Sequence, residues 1–223
     1  MSSFTSLILS GQFIGAIAFL CAAVLAIVIH EISHGLVAMW NGDRTAKYAG
    51  RLSLNPAKHF DMYGFLMFVF VGFGWAKPVP VDSRNFKKPK TGLITVSIAG
   101  VVSNLILAFF AYGLFAVVVY YTPENFFTDF LYWFFKCFFN INIMLIVFNL
   151  LPIYPLDGFR LIEALTPYNN AFVRFMRQNS IYFLIGLLII SQVIVFAFNY
   201  NIFTPVVNAV GWPIEKFWGI FFK

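Results

Sequence analysis

The chain has 223 residues, of which 61% are hydrophobic, 20% are aromatic and 11% are charged. This composition excludes an ordinary soluble domain and is typical of a polytopic membrane protein. The formal net charge is +6, but the basic residues lie in short loops between apolar runs, as the positive-inside rule requires, and not on one stripe that could bind nucleic acid. We therefore expect a lipid bilayer, and no nucleic acid, around this chain. The two cysteines, Cys21 and Cys137, lie within apolar runs and predict no disulfide framework.

The first long apolar run begins near Phe13 and ends in the sequence His30-Glu31-Ile32-Ser33-His34, an H-E-x-x-H motif. On a helix the two histidines lie one turn apart on the same face, so that their ring nitrogens can bind one metal ion with Glu31 beside it. That arrangement is typical of a zinc hydrolase. The alternative is an ordinary helix end at the membrane interface, which the cost of placing Glu31 at the edge of a span disfavours.

The length of this run sets the depth of the motif. Phe13 to Ile29 is long enough to cross most of the hydrocarbon core at about 1.5 Å per residue, so the histidines are expected near its far side. Basic residues follow at once, which identifies that side as the cytosol. They are Arg44, Lys47, Arg51 and Lys58.

Two weaker patterns follow the motif. Within the polar stretch from Asn41 to Asp61, the alternation of Ala46 to Leu54 predicts a short strand. The next apolar run, Met62 to Trp75, is short, rich in glycine and flanked by basic residues on both sides. A re-entrant, β-like segment that dips into the membrane fits the positive-inside rule here, whereas a single crossing does not. Behind it, the prolines of Lys77 to Val81 predict an extended edge.

The next two apolar stretches predict further spans. Thr91 to Tyr121 contains no charge and can return the chain to the outside. Its strongly polar side chain is Asn104, which serves either an interhelical hydrogen bond or the metal site. Past a short external loop, Phe126 to Phe135 predicts an aromatic interfacial segment, and Lys136 can reach the outer headgroups. Cys137 to Leu156 then predicts a span that crosses inwards.

The inward span ends in a second constellation, Asn149-Leu150-Leu151-Pro152-Ile153-Tyr154-Pro155-Leu156-Asp157-Gly158. Two prolines and a glycine predict a break in the helix, and Asp157 at that break is a natural metal ligand. Because the first and third spans both run inwards, His30, His34 and Asp157 should reach the same cytosolic level. Two imidazoles, one carboxylate and an open fourth position are typical of a catalytic zinc site. His59 has no partner at a ligand spacing and is expected to be an ordinary loop histidine.

The C-terminal part predicts three simpler segments. Phe159 to Asn179 is expected to be a cytosolic linker, Ser180 to Phe198 a last span that faces lipid, and Asn199 to Lys223 an interfacial tail on the outer side. The prediction is therefore an all-α polytopic membrane protein with about four transmembrane helices and a re-entrant, β-like segment. We expect a single domain over residues 1–223, with a catalytic core at about 13–164 and an extra helix and tail at 165–223.

Four separated stretches resemble the motifs of the site-2 protease family of intramembrane zinc metalloproteases, peptidase family M50. They are His30 to Gly35, Gly74 to Val81, Ser97 to Gly100 with Asn104, and Asn149 to Gly158. The resemblance covers about Phe13 to Ala164 and implies a minimal bacterial-type member without a PDZ or CBS domain. Relatives commonly have proline at the position of Val101 and a second glycine at that of Phe159, so altered packing is expected around these two residues.

The resemblance also implies the site and the reaction. It implies one zinc ion per chain with His30, His34 and Asp157 as ligands, Glu31 as the general base, and Asn104 and Asn149 near the substrate. The substrate would be a transmembrane segment of another protein, cleaved in regulated intramembrane proteolysis. The protein is expected in the cell membrane as a multi-pass protein with its active site towards the cytosol. A catalytically inactive membrane scaffold is the alternative, and a transporter is disfavoured because the sequence shows no paired repeats. The oligomeric state stays open.

Overall fold

The structure is a computed structural model that describes residues 4–71, 74–167, 170–198 and 200–222. Its helices are α1 Phe4–Leu9, α2 Phe13–Trp40, α3 Thr45–Tyr48, α4 Met62–Val71, α5 Pro89–Tyr121, α6 Phe126–Asn149, α7 Asp157–Leu165, α8 Ala171–Phe198 and α9 Thr204–Trp218. Helices α2, α5, α6 and α8 are long and apolar enough to cross a membrane. The predicted all-α polytopic membrane fold is confirmed.

Helices α2, α5 and α6 pack against one another and form the core. The interface is built from alanines on two helices and large side chains on the third. The alanines are Ala22, Ala23 and Ala26 of α2 and Ala108 and Ala111 of α5, and Phe138, Phe139 and Ile143 of α6 pack against them. In a bilayer, where lipid competes with protein for apolar contacts, small residues stabilise such an interface because they let helix backbones approach closely.

The direction of each core helix follows from two contacts at opposite ends of the bundle. Near the start of α2, Gly15 lies against Trp133 of α6, with the ring carbon Cδ2 only 3.1 Å from where a Cβ would be. At the other end, Gly100 of α5 lies against His30 of α2. Helices α2 and α6 are therefore parallel to each other, and α5 runs antiparallel between them, as the predicted topology requires.

Helix α6 is continuous from Phe126 to Asn149, so the predicted division into an interfacial segment and a span ending at Leu156 was wrong. The helix starts with a capping box between Asn125 and Thr128, and no proline or glycine interrupts it. Lys136 lies inside this helix. Its ammonium group is about 5.0 Å from the ring centre of Trp133, an aromatic side chain of the same helix. The helix ends before Pro152, where the missing N–H groups of the prolines prevent further turns.

The predicted strand from Ala46 to Leu54 was also wrong. Residues Thr45–Tyr48 form the short helix α3 instead, and Gly50 turns the chain with a φ of 65°. The backbone N–H of Thr45 is bonded to the carboxylate of Asp43 at 3.0 Å, which satisfies a free donor at the start of a helix. This local hydrogen bond decides between helix and strand where the alternation of apolar residues is weak.

The run from Met62 to Trp75 doubles back, as a re-entrant segment must. Phe60 and Ala76, which flank the run, form an isolated antiparallel β-bridge, and the N–H of Lys77 donates to the carbonyl of His59 at 2.8 Å. The outgoing part is the helix α4, while residues 72 and 73 lie outside the described part of the chain. The chain passes close to Gly64 on its way back: a Cβ atom at Gly64 would be 2.0 Å from the carbonyl oxygen of Trp75.

The C-terminal third contains more helix than the sequence predicted. The expected linker from Phe159 to Asn179 is wrong, since most of it belongs to α7 and to the first turns of α8. Helix α8 starts at Ala171, earlier than Ser180, and its most apolar part is almost wholly exposed, as expected of a helix that faces lipid.

Helix α9 packs along the core instead of forming an interfacial tail. Trp218 donates from Nε1 to the carbonyl of Phe109 on α5 at 2.9 Å. Phe203, just before α9, packs near Phe148 at the inner end of α6, whereas Phe222 lies near the rings of Tyr120 and Tyr121 at the far end of α5. The described part of the predicted tail therefore runs along the length of the bundle, and the predicted ends at residues 199 and 223 lie outside the described residues.

Candidate metal centre

Helix α2 brings the two histidines of the motif together as the spacing predicts. Both side chains are buried, their rings meet edge to face at 4.7 Å, and the two Nε2 atoms are 3.1 Å apart. The helix is alanine-rich and free of proline up to this point, so nothing disturbs the one-turn relationship between His30 and His34.

Asp157 completes the cluster from the first residue of α7. Its Oδ2 atom lies 3.3 Å from Nε2 of His30 and 3.1 Å from Nε2 of His34. The neighbouring Gly158 makes this approach possible, because a Cβ there would stand 2.3 Å from the carbonyl oxygen of Leu150. Only glycine lets α7 begin so close to the end of α6, and that close turn places the carboxylate beside the histidines.

The three side chains fit a bound cation. One ligand atom from each of His30, His34 and Asp157 lies within 4.8 Å of the other two. The carbonyl of Val96 accepts a hydrogen bond from Nδ1–H of His34 at 2.8 Å, so Nε2 of the neutral ring carries a lone pair that points away from that bond. The buried Oδ2 of Asp157 has no hydrogen-bond donor among the described residues. Lone pairs that converge in a buried place repel one another unless a metal ion lies between them.

Asn104 lies beside the ring of His30. It is fully buried on α5, and its Nδ2 atom lies 3.1 Å from Nδ1 of His30, while its Oδ1 atom has no partner in the described part of the chain. Rotating the amide by 180° would let Oδ1 accept a hydrogen bond from Nδ1–H, which is the usual outer contact of a metal-binding histidine. The structure therefore places Asn104 against the ring of His30.

Glu31 is held by a segment that lies far away in the sequence. Its Oε2 atom accepts a hydrogen bond from the backbone N–H of Val79 at 2.9 Å. Val79 belongs to the stretch Lys77 to Val81, which has neither helix nor strand structure. The sequence offered no sign of this contact, because nothing in the motif specifies a partner for Glu31.

The remaining predicted residues lie outside the cluster. Asn149 is half-buried at the end of α6, where its Nδ2 donates to the carbonyl of Leu145 at 3.0 Å, and no hydrogen bond joins it to the three ligands within the described ranges. His59 is buried, and its Nε2 lies 2.8 Å from the carbonyl oxygen of Ser53. It does not belong to the metal cluster, as expected for a loop histidine.

A second buried carboxylate, Asp43, joins the loops beside the motif. It accepts hydrogen bonds from the backbone of Thr45 at 3.0 Å, from the side chain of Asn85 at 2.9 Å and from the backbone of Asp82 at 2.7 Å. Burial opposes ionisation, but these hydrogen bonds outweigh it and hold the pKa of the Asp43 carboxyl below its usual value.

The chain matches the sequence model of one protein family. The model described as "Peptidase family M50" matches residues 18–132. The chain belongs to peptidase family M50. A curated relative, "Putative zinc metalloprotease YwhC" of Bacillus subtilis (strain 168), is 47% identical over 146 residues, which cover 65% of this chain and 67% of the relative. No solved structure matches the chain.

The M50 assignment explains the chemistry of the cluster. The matched range contains the motif of α2 and Asn104 but ends before Asp157. The three-dimensional structure places the carboxylate of Asp157 beside the two histidines. The protein is a multi-pass membrane protein of a metalloprotease family, and its cofactor is zinc. At the two departures from the family pattern, Val101 is half-buried against the core, and Phe159 is fully buried beside Tyr154.

Proposed function

We propose that the protein is an intramembrane zinc metalloprotease that cleaves peptide bonds within or near transmembrane segments of other membrane proteins, in regulated intramembrane proteolysis. The observation that carries this proposal is the convergence of His30, His34 and Asp157 within 4.8 Å inside a bundle of spanning helices. These three residues would hold the zinc ion. Glu31, adjacent to the first ligand, would be the general base.

The depth of the cluster supports cleavage inside the bilayer. Helix α2 continues from His34 to Trp40, a further rise of about 9 Å at 1.5 Å per residue. The cluster thus lies within the length of a spanning helix and not at its end. Basic residues follow α2 and precede α5, so we propose that this end faces the cytosol.

The roles of the residues follow from peptide hydrolysis in a site with little water. A zinc ion held by His30, His34 and Asp157 would supply Lewis-acid chemistry at this site. The Glu31 carboxylate accepts a proton from the attacking water and delivers it to the leaving amine. Asn104 keeps the ring of His30 in place. Asn149 is proposed to face the substrate, and its Nδ2 would have to leave the carbonyl of Leu145 to stabilise an oxyanion.

A helical substrate must unwind before it can be cut, because its carbonyl groups are engaged in its own hydrogen bonds. The segment from Lys77 to Val81 passes beside Glu31. Its prolines favour an extended backbone, which an unwound substrate could join as an added strand. The stretch from Tyr48 to Leu54 consists of the end of α3, a turn and bends, a shape that does not offer a straight edge to a substrate. We therefore expect preference for spans with Gly, Pro or Asn near the cytosolic end, where unwinding costs least.

The proposal is tested with purified protein and a panel of membrane-anchored peptides. His30→Ala, His34→Ala and Asp157→Ala should lose both zinc and cleavage, whereas Glu31→Gln should keep zinc and lose cleavage, because it removes the base without removing a ligand. His59→Gln is the matched control: a buried histidine outside the cluster, whose replacement should retain both. Full cleavage by Glu31→Gln would refute the mechanism. Zinc-loaded wild-type protein that cleaves no peptide of the panel would instead indicate an inactive scaffold.

A further inference from the structure

The segment from Lys77 to Val81, which contacts Glu31, has one backbone N–H donor between its two end residues. Pro78 and Pro80 have no N–H, so Val79 is the one donor between Lys77 and Val81. Its N–H is bonded to Oε2 of Glu31 at 2.9 Å. The N–H of Lys77 is already used by the carbonyl of His59. The one N–H donor between Lys77 and Val81 is therefore bonded to Glu31.

Two buried charged side chains hold the segment on either side of Val79. Before it, Nη2 of Arg51 donates to the carbonyl oxygens of Lys77 and Pro78. After it, Oδ2 of Asp43 accepts from the N–H of Asp82 at 2.7 Å. The exposed fraction is 7% for Arg51 and 0% for Asp43. Burying charge is costly. The Arg51 guanidinium and one oxygen of the Asp43 carboxylate are both bonded to the backbone of this segment.

Leu52, which follows Arg51, and Val79 both pack against α2, the helix that carries the motif. Gly35 lies one turn after Glu31, and a Cβ there would be 2.6 Å from Cδ2 of Leu52 and 3.1 Å from Cγ1 of Val79. The loop that contains Arg51 and the extended segment are thus both in contact with α2. A shift of either one would move the N–H of Val79 relative to the Glu31 carboxylate.

We infer that Asp43 and Arg51 are positioning residues for Glu31, acting through the backbone of Lys77 to Asp82. They fix the N–H of Val79, and that N–H holds the Glu31 carboxylate in one orientation beside the ligands. This inference rests on the proposed role of Glu31 as the general base. It gives a function to two buried charged residues outside the group formed by His30, His34 and Asp157.

A kinetic experiment separates positioning from simple stabilisation of the fold. Asp43→Asn, Arg51→Met and Arg51→Lys are compared with the exposed control Lys47→Gln on one membrane-anchored peptide. The three variants of Asp43 and Arg51, called the anchor variants below, should keep one zinc per chain and a KM close to that of the wild type. Their kcat should fall about ten- to a hundredfold, because a displacement of up to 1 Å is enough to impair a catalytic group. Arg51→Lys should be intermediate, since one ammonium can replace only part of the planar guanidinium contact.

Coupling to Glu31 provides the second readout. In Glu31→Asp the shorter carboxylate no longer reaches Val79, so adding Arg51→Met should lower kcat much less than it does in the wild-type background. Equal losses in both backgrounds, or unchanged kcat in the zinc-loaded anchor variants, would overturn the inference.

Hydrogen exchange tests the inference without any cleavage. A peptide covering residues 77–82 has no exchangeable amide at its two prolines, so Val79 contributes a large share of its signal. Arg51→Met and Glu31→Ala should each speed exchange there, while the part of α2 around His30 stays protected. Unchanged exchange in Arg51→Met would refute the anchoring role, even if the wild-type protein cleaves nothing and the proposed function fails.

Discussion

Gly100 of α5 lies directly against His30 of α2: a Cβ atom at Gly100 would stand 2.3 Å from Cε1 of His30 and 2.6 Å from Nε2 of His34. Both distances are far shorter than a van der Waals contact. The histidine rings therefore occupy the space that any other residue would need. His30, His34 and Asp157 can therefore adopt this arrangement only because Gly100 of α5 has no side chain.

Gly100→Ala should therefore abolish zinc binding or weaken it strongly, because the added methyl group must push the rings of both histidines away from Asp157. The measurement is the zinc content of the purified protein. Gly186→Ala on α8 is the matched control, since a Cβ there meets nothing within 4 Å. A Gly100→Ala protein with full zinc content would show that α5 can move without disturbing the cluster.

Asn104→Ala should lower the affinity for zinc about 10- to 100-fold, the usual effect of losing the outer partner of a metal-binding histidine. Competition with a chelator measures the affinity. Asn142→Ala is the control, because Asn142 is equally buried but bonds to the carbonyl of Phe138 in its own helix. If both variants bind zinc as the wild type does, Asn104 does not orient His30.

The stability that the Asp43 carboxylate contributes to the folded protein should be lost in acid. The folded pKa of its carboxyl lies below the unfolded value of about 3.9. Its contribution to stability is therefore fully present above the unfolded pKa and is lost as the pH falls through the folded pKa. The unfolding temperature in detergent, followed from pH 7 downwards, should drop less steeply for Asp43→Asn, with Asn85→Ala in between. Parallel acid profiles for wild type and Asp43→Asn would contradict this linkage.

Cysteines at Lys47 and Lys87 should be labelled from the same side of the membrane. The bridge between Phe60 and Ala76 closes the re-entrant segment, and the N–H of Lys87 donates to the carbonyl of Asn41 at 2.9 Å, so the chain before and after that segment meets at one end of the bundle. A membrane-impermeant thiol reagent on oriented vesicles makes the measurement.

Glu124→Cys provides the opposite-side control for the labelling experiment, because it lies in the loop between α5 and α6. All three variants are made in a protein whose native residues Cys21 and Cys137 are replaced by alanine. Labelling of Lys47→Cys and Lys87→Cys from different sides would make Met62 to Trp75 a true crossing and would reject the hairpin.

Trp218→Ala should destabilise the bundle, whereas Trp212→Ala should not. Trp218 donates to the carbonyl of Phe109, and its ring fills the space over Gly113, while Trp212 is exposed. We expect a loss on the order of 2 kcal/mol, less than for a large side chain in a soluble core because lipid can fill part of the space. Thermal unfolding in detergent measures it. Equal unfolding temperatures for the two variants would show that α9 is not part of the core.

The sequence predicted those features that depend on contiguous residues. Spans such as α2 and α5 follow from apolar length, and the pairing of His30 with His34 follows from helical spacing. Where the local signal was weak or divided, the prediction failed. Residues Thr45–Tyr48 form a helix where Ala46 to Leu54 suggested a strand, and Thr204–Trp218 form a helix packed on α5 where an interfacial tail was expected.

By itself, then, the sequence determined the membrane class, the metal motif, the third candidate ligand Asp157 and the doubling back of Met62 to Trp75. Only the tertiary structure decided which remote groups touch them: Val79, 48 residues from Glu31, and Asn104, 74 residues from His30. The physical reason is that periodicity and charge act along the chain, whereas these contacts depend on how closely α2, α5 and the extended segment pack. That distance is set by the absent side chain of Gly100 and by the buried charges of Asp43 and Arg51, whose partners no local pattern reveals.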